Sequence, residues 1–281
     1  MPNTTPRILT LGHSPDPDDA FMFYALAKGK IDTGGLEFRH QLEDIETLNQ
    51  RARRGELDIT AISVHAYAYV LDKYAMLPCG ASMGERYGPM VVARGDIDLK
   101  ELPRKTIAIP GAMTSAFLAL RLAIGEFAHT VVPFDQIFDA VESGRADAGL
   151  IIHEGQLTYA ARGLKKVLDL GEWWDNETGL PLPLGCNVIC KDLGPALMSR
   201  INDILQQSIR YGLDHRADAV EHSLQWARDM GRDLADRFVG MYVNDLTVDY
   251  GERGRRAVEL FLRRGHEAGL LPKPVKLEFV R

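Results

Sequence analysis

The chain has 281 residues, a length at which proteins usually divide into two domains. Hydrophobic residues make up 46% of it and charged residues 26%, which excludes a disordered or collagen-like chain. The formal net charge of -6 disfavours a general nucleic-acid-binding protein, whereas the 33 basic residues still allow a local pocket for a small acidic molecule.

Strands and helices alternate in the first part of the chain. The sequence predicts a strand over residues 7–12, a helix over 18–28, a strand over 36–41, a helix over 45–54 and a strand over 58–63. This order is typical of βαβ units, whose strands are parallel.

A second block of the same kind follows. The sequence predicts a strand over residues 106–110, a helix over 115–124, a strand over 130–134, a helix over 136–143, and strands over 148–152, 165–169 and 186–190. From residue 194 to residue 269 the pattern becomes mostly helical.

The two blocks share a local pattern. Gly55 and Gly144 each end a predicted helix and are followed three residues later by an aspartate that opens an apolar strand. A histidine comes soon after each strand, His65 in the first block and His153 in the second. We therefore expect an α/β fold of two similar lobes with a central cleft, rather than one continuous sheet. Lobe 1 would contain residues 1–92 and 191–281 and lobe 2 residues 93–190, with the chain crossing near 91–95 and 190–194.

Ligands of open parallel sheets bind beyond the carboxyl ends of the strands, so the segments that follow strands are the candidate site. The first is the run from Gly12 to Asp19, which would present Ser14 to the cleft on a loop fixed by two prolines. The alternative is a structural one, in which Asp16 or Asp18 caps the following helix. Its aspartates alone are too weak a pattern to predict a metal site, and we predict none.

The second segment, residues 110–116, joins a strand end to a helix that begins at Thr114 and Ser115. The free N–H groups and positive end of such a helix favour an anion, so we expect a carboxylate or phosphate ligand here. Helix capping by either hydroxyl is the alternative, and the two are compatible. The segment lacks the second glycine and the lysine of a phosphate-binding P-loop.

The third segment is His153 with Glu154, directly after a predicted buried strand. A histidine there could act as a general base near neutral pH or could be a hydrogen-bonded structural residue. His65 precedes an alternating apolar run, which favours a structural role. Because successive strand side chains face opposite ways, we expect only one of His153 and Glu154 to reach the cleft.

Several other classes of site are disfavoured. The three cysteines are too few for a disulfide framework and lack zinc-site spacing, so we expect ordinary buried thiols. No nucleotide-binding or nucleophile motif is present, so we expect no cofactor. The segment from Met1 to Arg7 lacks signal-peptide features, and no apolar run approaches about 20 residues, so we expect a cytoplasmic protein without a membrane partner. The sequence gives no information on the oligomeric state.

Several longer motifs are similar to those of a known enzyme family. They are Ser-Pro-Asp-Pro-Asp-Asp-Ala-Phe at residues 14–21, Leu-Glu-Asp-Ile-Glu-Thr-Leu-Asn at 42–49, Ile-Ile-His-Glu at 151–154, Asp-Leu-Gly-Glu-Trp-Trp at 169–174 and Thr-Gly-Leu-Pro-Leu-Pro-Leu-Gly at 178–185. The chain resembles the family of menaquinone-biosynthesis enzymes that contains 1,4-dihydroxy-6-naphthoate synthase and chorismate dehydratase. The resemblance covers nearly the whole chain.

The resemblance implies the two-lobed fold of type II periplasmic solute-binding proteins. It also implies a lyase that converts cyclic dehypoxanthine futalosine to 1,4-dihydroxy-6-naphthoate on the futalosine route to menaquinone. His153 would be the base that starts ring opening, and Thr114 and Ser115 would hold the substrate from lobe 2. The strand end Ala61, Ile62 and Ser63 would contact it from lobe 1.

Three positions depart from the motifs of that family. It often has Lys at position 61, Cys at 16 and Asn at 18, where this chain has Ala61, Asp16 and Asp18. These departures leave open chorismate dehydratase activity on the same fold. A binding protein that captures an anion is a further alternative, although it would not need His153. The Trp173–Trp174 pair fits either the cleft wall or the core of a lobe.

Overall fold

The computed structural model describes residues 7–227 and 230–281, so residues 1–6 of the segment without signal-peptide features lie outside the described residues. The strands are β1 (Arg7–His13), β2 (Leu36–Leu42), β3 (Ile59–Ser63), β4 (Tyr74–Met76), β5 (Ser82–Gly84), β6 (Met90–Ala93), β7 (Thr106–Ile109), β8 (Ala128–Val131), β9 (Ala148–Ile151), β10 (Lys165–Asp169) and β11 (Leu182–Cys190). The α-helices are α1 (Pro17–Met22), α2 (Tyr24–Ala27), α3 (Ile45–Arg54), α4 (Val64–Tyr67), α5 (Ser115–Ile124), α6 (Ile137–Glu142), α7 (Gly155–Thr158), α8 (Leu170–Thr178), α9 (Pro195–Asp214), α10 (Arg216–Ser223), α11 (Arg232–Tyr242), α12 (Asp245–Val248) and α13 (Gly251–Glu267).

The strands form two separate sheets, one for each lobe. The first has the order β2-β1-β3-β11-β4, with β5 also paired to β11, and the second has the order β10-β6-β9-β7-β8. β1 is parallel to β2 and β3, and β7 is parallel to β8 and β9, whereas β11 and β6 run antiparallel to their neighbours. Two sheets confirm the predicted two-lobed α/β fold.

The strand pairing moves both predicted crossings between the lobes. β6 pairs with β9 and β10 in the second sheet, so the chain first crosses at residues 85–89 rather than near 91–95. β11 is one continuous strand of the first sheet, paired with β3 and β4, so the second crossing lies at residues 179–181 rather than near 190–194. The sequence shows where a strand is but not which sheet it joins, because pairing partners are distant in the chain.

Other differences between the predicted and the observed helices and strands have local causes. The predicted helix over residues 18–28 is two short helices that meet at Phe23, which has φ -98° and ψ 7°. The strand predicted over 130–134 ends at Val131, because Pro133 cannot donate to a ladder and a 3₁₀ turn follows it. β4, β5 and β6 have only three or four residues each, too few for alternation to indicate a strand.

Local sequence explains why helix α3 has its bounds. Asp44 accepts hydrogen bonds from the main-chain N–H groups of Glu46 and Thr47, which caps the start of the helix. Gly55 ends it at φ 74°, a left-handed conformation that glycine adopts without strain. The predicted helix over residues 45–54 is therefore confirmed.

The core contains groups for which the sequence left two interpretations open. Trp174 is fully buried, its indole N–H donates to the Pro181 carbonyl at 3.1 Å, and its ring meets Phe261 edge-on at 5.4 Å. Trp174 therefore belongs to the core rather than to the cleft wall. Cys79, Cys186 and Cys190 are free thiols, and the first two are buried as predicted, whereas Cys190 is only partly buried. Among the described residues, none of the helices combines the length and hydropathy that a membrane crossing needs.

Candidate functional site

A cavity lies between the two lobes, where the carboxyl ends of β1 and β3 face the start of α5. Its wall contains five of the residues predicted from the sequence, which are Ser14, Ala61, Ser63, Thr114 and Ser115. Three come from the first lobe and two from the second, so the cavity occupies the cleft between them. The residues that were predicted from their positions at strand ends therefore line one cavity, which makes it the candidate site.

Ile62 is placed differently from its predicted role. It is fully buried in the hydrophobic core, whereas its neighbours Ala61 and Ser63 line the cavity. Successive side chains of a strand point to opposite faces, so these two neighbours face the cleft and Ile62 faces away from it. The side chain of Ile62 therefore does not line the cavity, and the predicted contact of the strand end with a substrate would come from Ala61 and Ser63.

The loop after β1 is held by Asp19. The Asp19 carboxylate accepts hydrogen bonds from the main-chain N–H of Ser14 at 2.7 Å and from its hydroxyl at 2.8 Å. Asp19 therefore organises this loop, rather than Asp16 or Asp18, which are the two predicted capping residues. Both of these line the cavity together with Asp19 and Ser14.

Burial gives this acidic end of the cavity unusual proton affinity. Burial raises the pKa of Asp19 to about 6, against the opposing effect of the two hydrogen bonds from Ser14. The pKa of Asp18 is raised well above its ordinary value, mainly by burial and next by the neighbouring charges of Asp19 and Asp16. The cavity therefore holds two carboxyl groups whose affinity for a proton is raised, and either of them can donate a hydrogen bond when it is protonated.

The opposite end of the cavity is the start of α5. Thr114 caps this helix: its hydroxyl accepts from the N–H of Phe117 at 3.2 Å and donates to the Gly111 carbonyl at 2.9 Å. The Ser115 hydroxyl donates to the Leu184 carbonyl at 2.6 Å. Both hydroxyls thus already bond within the protein. The groups that can receive an anion are the first N–H groups of the helix, together with its positive end.

His65 lies at the contact between the lobes and not in the cavity wall. Its Nδ1 donates to the Thr114 carbonyl at 3.2 Å, and its main-chain N–H donates to the Ser115 hydroxyl at 3.2 Å. Burial lowers the pKa of His65 to about 4, so the ring is neutral at physiological pH. These contacts agree with a structural role, in which His65 positions the start of α5.

His153 lies beside the main cavity, in a narrow space that shares Asp16, Ile45 and Ile152 with it. β9 ends at Ile151, so His153 lies in the turn before α7, and the expected alternation with Glu154 along a strand does not apply.

Both ring nitrogens of His153 have protein partners. Nε2 donates to the Phe134 carbonyl at 3.1 Å, and Nδ1 accepts from the main-chain N–H of Gly155 at 3.0 Å. The Glu154 carboxylate lies 3.5 Å from Nδ1. The partners fix the neutral tautomer with its proton on Nε2, and they leave Nδ1 as the basic atom.

The lobes are joined next to the anion end by a contact from helix α3. The Glu46 carboxylate accepts from the main-chain N–H of Met113 at 3.1 Å and from Gln50 at 2.9 Å. Asn49 spans the same gap, with hydrogen bonds to Ser63 at 2.8 and 3.2 Å and a longer one to the Met113 carbonyl at 3.4 Å. Glu46 and Asn49 of the first lobe therefore hold Met113 of the second lobe in place.

Two aromatic residues of the cavity wall were not predicted. Phe238 and Tyr242 of α11 line the cavity, and the Tyr242 hydroxyl donates to Gln156 of the second lobe at 2.7 Å. They lie in the C-terminal helical region, where they satisfy an ordinary amphipathic pattern that carries no signal of a site. Within residues 7–227 and 230–281, no group of three or more His, Cys, Asp or Glu side chains is arranged to hold a metal ion.

Comparison with known proteins shows which family this chain belongs to. The model of a family described as menaquinone biosynthesis matches residues 9–267. A protein of Thermus thermophilus named 1,4-dihydroxy-6-naphtoate synthase is 39% identical over 270 residues, which cover 95% of this chain and 98% of that protein. A protein of the same name from Streptomyces coelicolor is 38% identical over 273 residues, which cover 94% of this chain and 95% of that one.

Solved structures agree on the fold. A protein from Archaeoglobus fulgidus superposes with a TM-score of 0.90 at 45% identity, covering 94% of this chain and 98% of that one. The alkanesulfonate-binding protein of Xanthomonas axonopodis pv. citri superposes with a TM-score of 0.71 at 13% identity. The match covers 97% of this chain and 96% of that protein. The second likeness shows the fold alone, and it confirms the predicted periplasmic-binding-protein-like architecture. With a family match over residues 9–267 and two relatives of nearly full length, the chain belongs to the menaquinone-biosynthesis family.

Proposed function

We propose that this protein is a 1,4-dihydroxy-6-naphthoate synthase, a carbon–carbon lyase that converts cyclic dehypoxanthine futalosine to 1,4-dihydroxy-6-naphthoate in menaquinone biosynthesis. The observation that carries the proposal is the 38–39% identity to two synthases of that name over almost the whole chain. The cavity supports it, because its two ends suit the two chemically different parts of such a substrate.

The start of α5 suits the aromatic carboxylate. The first helical N–H groups, at Ser115 and Ala116, point out of the helix start, and the helix dipole favours a negative charge there. Ala61, Ile45 and Phe238 supply apolar wall against which the flat ring system packs. In this proposal the carboxylate is held by main-chain N–H groups, while the Thr114 and Ser115 hydroxyls keep those groups in position.

The acidic end suits the sugar-derived part. A protonated carboxyl at Asp18 or Asp19 can donate a hydrogen bond to a hydroxyl or carbonyl oxygen, and a charged one can accept. The Ser14 hydroxyl donates its hydrogen bond to Asp19, so its oxygen remains as a hydrogen-bond acceptor for a ligand in the cavity. This end can therefore bind several hydroxyl groups at once.

His153 is the proposed general base. When Nδ1 takes a proton from a sugar-derived carbon or hydroxyl, it gives up its hydrogen bond from the Gly155 N–H, so the turn between β9 and α7 must shift. The proton would arrive beside the Glu154 carboxylate, 3.5 Å away, which stabilises the resulting imidazolium. The Nε2–H bond to the Phe134 carbonyl keeps the ring oriented during this transfer. Loss of that substrate proton starts ring opening.

The test is direct conversion. Purified protein is incubated with cyclic dehypoxanthine futalosine, and naphthoate formation is followed by absorbance. Turnover by His153→Asn and His153→Ala should fall by roughly a hundredfold or more, the usual scale for a positioned acid–base group. Binding should persist, because the start of α5 is unchanged. His129→Asn, at an exposed histidine of the same lobe, is the matched control.

Each outcome has a distinct meaning. Substrate that binds without conversion would favour a binding protein over an enzyme. Conversion that survives His153→Asn would remove this residue from the mechanism and make Glu154 the next candidate base. Conversion of chorismate instead of the futalosine derivative would indicate the sister activity.

A further inference from the structure

Asn187 is a buried amide in the middle of β11 whose polar atoms have no partner. Its side chain is 1% exposed, and among the described residues neither Oδ1 nor Nδ2 makes a hydrogen bond. Its main-chain carbonyl is paired, since it accepts from the N–H of Leu77 at 2.9 Å. Buried polar groups of native proteins are nearly always paired, and an unpaired one destabilises the fold, so this amide needs an explanation.

The strand register places this amide beside the cavity. In the antiparallel pairing of β11 with β3, Asn187 lies opposite Ala61 and Gly185 lies opposite Ser63. Directly opposed residues project from the same face of a sheet, and Ala61, Ser63 and Gly185 all line the cavity. Asn187 therefore projects from the same face of the sheet as these residues, unlike Ile62, but it lies behind the cavity wall rather than in it.

The residue next to the amide is small. Gly80 also lines the cavity, and a Cβ atom placed on it would lie 1.9 Å from Nδ2 of Asn187. Since Gly80 has no side chain and Ala61 has only a methyl group, little material separates the amide from the cavity. A small movement at Gly80 or Ala61 would therefore bring the amide into contact with a ligand, and a larger residue at either position would block it.

We propose that Asn187 is a specificity-determining residue whose amide binds a hydroxyl-bearing, sugar-derived part of the ligand. An amide presents a donor and an acceptor side by side, and a hydroxyl group, or a pair of them, is the chemical group that satisfies both. The proposal rests on the proposed function, because it concerns the same cavity. It adds that the floor of the cavity recognises hydroxyl groups, while the start of α5 recognises the carboxylate.

The proposal predicts opposite effects on stability and on function. Leu has the same side-chain branching as Asn but no polar atoms, so Asn187→Leu removes an unpaired buried amide and should raise or keep the unfolding temperature. The same change should lower kcat/KM for cyclic dehypoxanthine futalosine by roughly ten- to a hundredfold, because one or two hydrogen bonds to the ligand are lost. The affinity for 1,4-dihydroxy-6-naphthoate, which lacks the sugar-derived part, should change less than threefold.

The matched control is Thr60→Val on the neighbouring strand. Thr60 is fully buried, and its hydroxyl donates to the Ala61 carbonyl at 2.9 Å. It projects from the face of β3 opposite to that of Ala61, away from the cavity. This variant also exchanges a buried polar group for an apolar one, and it should keep kcat/KM.

The outcomes separate this inference from the proposed function. If the unaltered protein neither binds nor converts the futalosine derivative, the proposed function fails and this inference with it. If it converts the substrate and Asn187→Leu has the same kcat/KM, only the inference is overturned. If the Leu variant does not fold, Asn187→Ala replaces it in both assays.

A spectroscopic measurement on the unaltered protein gives an independent test. With ¹⁵N-labelled asparagine, the side-chain amide resonance of Asn187 is identified by its loss in Asn187→Ala. It should shift when cyclic dehypoxanthine futalosine saturates the protein. A resonance that stays in place, as for an amide bonded to a trapped water only, would overturn the proposal.

Discussion

Replacing Thr114 by Asp separates two functions of one residue, capping a helix and leaving room for an anion. Thr114 accepts from the Phe117 N–H at 3.2 Å and donates to the Gly111 carbonyl at 2.9 Å. Asp is at least as good a helix cap as Thr, so the hydrogen bond from the Phe117 N–H is kept. In addition, the helix dipole favours a negative charge at the helix start. Losing the donor to Gly111 should cost about 1 kcal/mol of unfolding free energy. The variant should therefore fold.

The same variant should lose the ligand. A carboxylate bound at the Ser115 and Ala116 N–H groups would lie ~5 Å from the new charge, and two like charges at that distance repel by ~3 kcal/mol at an effective dielectric constant of about 20. That repulsion corresponds to a more than hundredfold weaker affinity. Thr114→Ser, which keeps the hydroxyl, is the control and should bind normally. Thr114→Ala should lose ~1 kcal/mol of stability from the missing cap.

Two measurements check this reasoning. Titration calorimetry with 1,4-dihydroxy-6-naphthoate gives the affinity of each variant, and chemical denaturation gives its stability. If Thr114→Asp folds and binds as tightly as the unaltered protein, the carboxylate is held elsewhere. If Thr114→Ser also loses affinity, the hydroxyl acts through its exact geometry, and repulsion is not the cause.

Two further predictions concern charge and lobe contacts. Burial raises the pKa of Asp19 to about 6 from 3.8, so its protonated form stabilises the fold below about pH 4, and up to about 3 kcal/mol is lost as the pH rises to 7. In Asp19→Asn that loss should be smaller, and denaturation curves at pH 4 and 7 that differ as before would contradict the assignment. Glu46→Ala removes the bond to the Met113 N–H, so the lobes should separate more readily and the radius of gyration in small-angle scattering should increase. The control Glu56→Ala, at a residue that pairs only with arginines of its own lobe, should not change it.

The elements that the sequence predicts best are those whose ends carry a chemical signal. The helix over residues 45–54 is marked by Asp44 and Gly55, and the helix over 115–124 by Thr114, so both have the predicted bounds. The short strands β4, β5 and β6 have no such signal. Sheet membership of β6 and β11 depends on pairing between residues about 60 to 130 positions apart, which no local pattern contains.

The site shows the same division between local and distant information. Ser63 is the last residue of β3, and Ser14, Thr114 and Ser115 follow strands, so a general rule about strand ends predicts a place for all four in the cleft. Phe238 and Tyr242 reach the cavity only because α11 packs against α1 in the folded chain. Asn187 has a signal that can be read locally, since a polar amide interrupts the otherwise apolar run from Cys186 to Ile189.

The contacts around α5 join the two lobes at the place where the proposed carboxylate would bind. The Ser115 hydroxyl joins the Leu184 carbonyl to the N–H of His65, and the Thr114 carbonyl accepts from the ring of the same histidine. Glu46 holds the preceding loop through Met113. The helix start that would receive a carboxylate in the proposed function is therefore held in place by contacts from the first lobe. We predict that a ligand bound there strengthens the contact between the lobes, because it would bind more tightly when these contacts are formed than when they are broken.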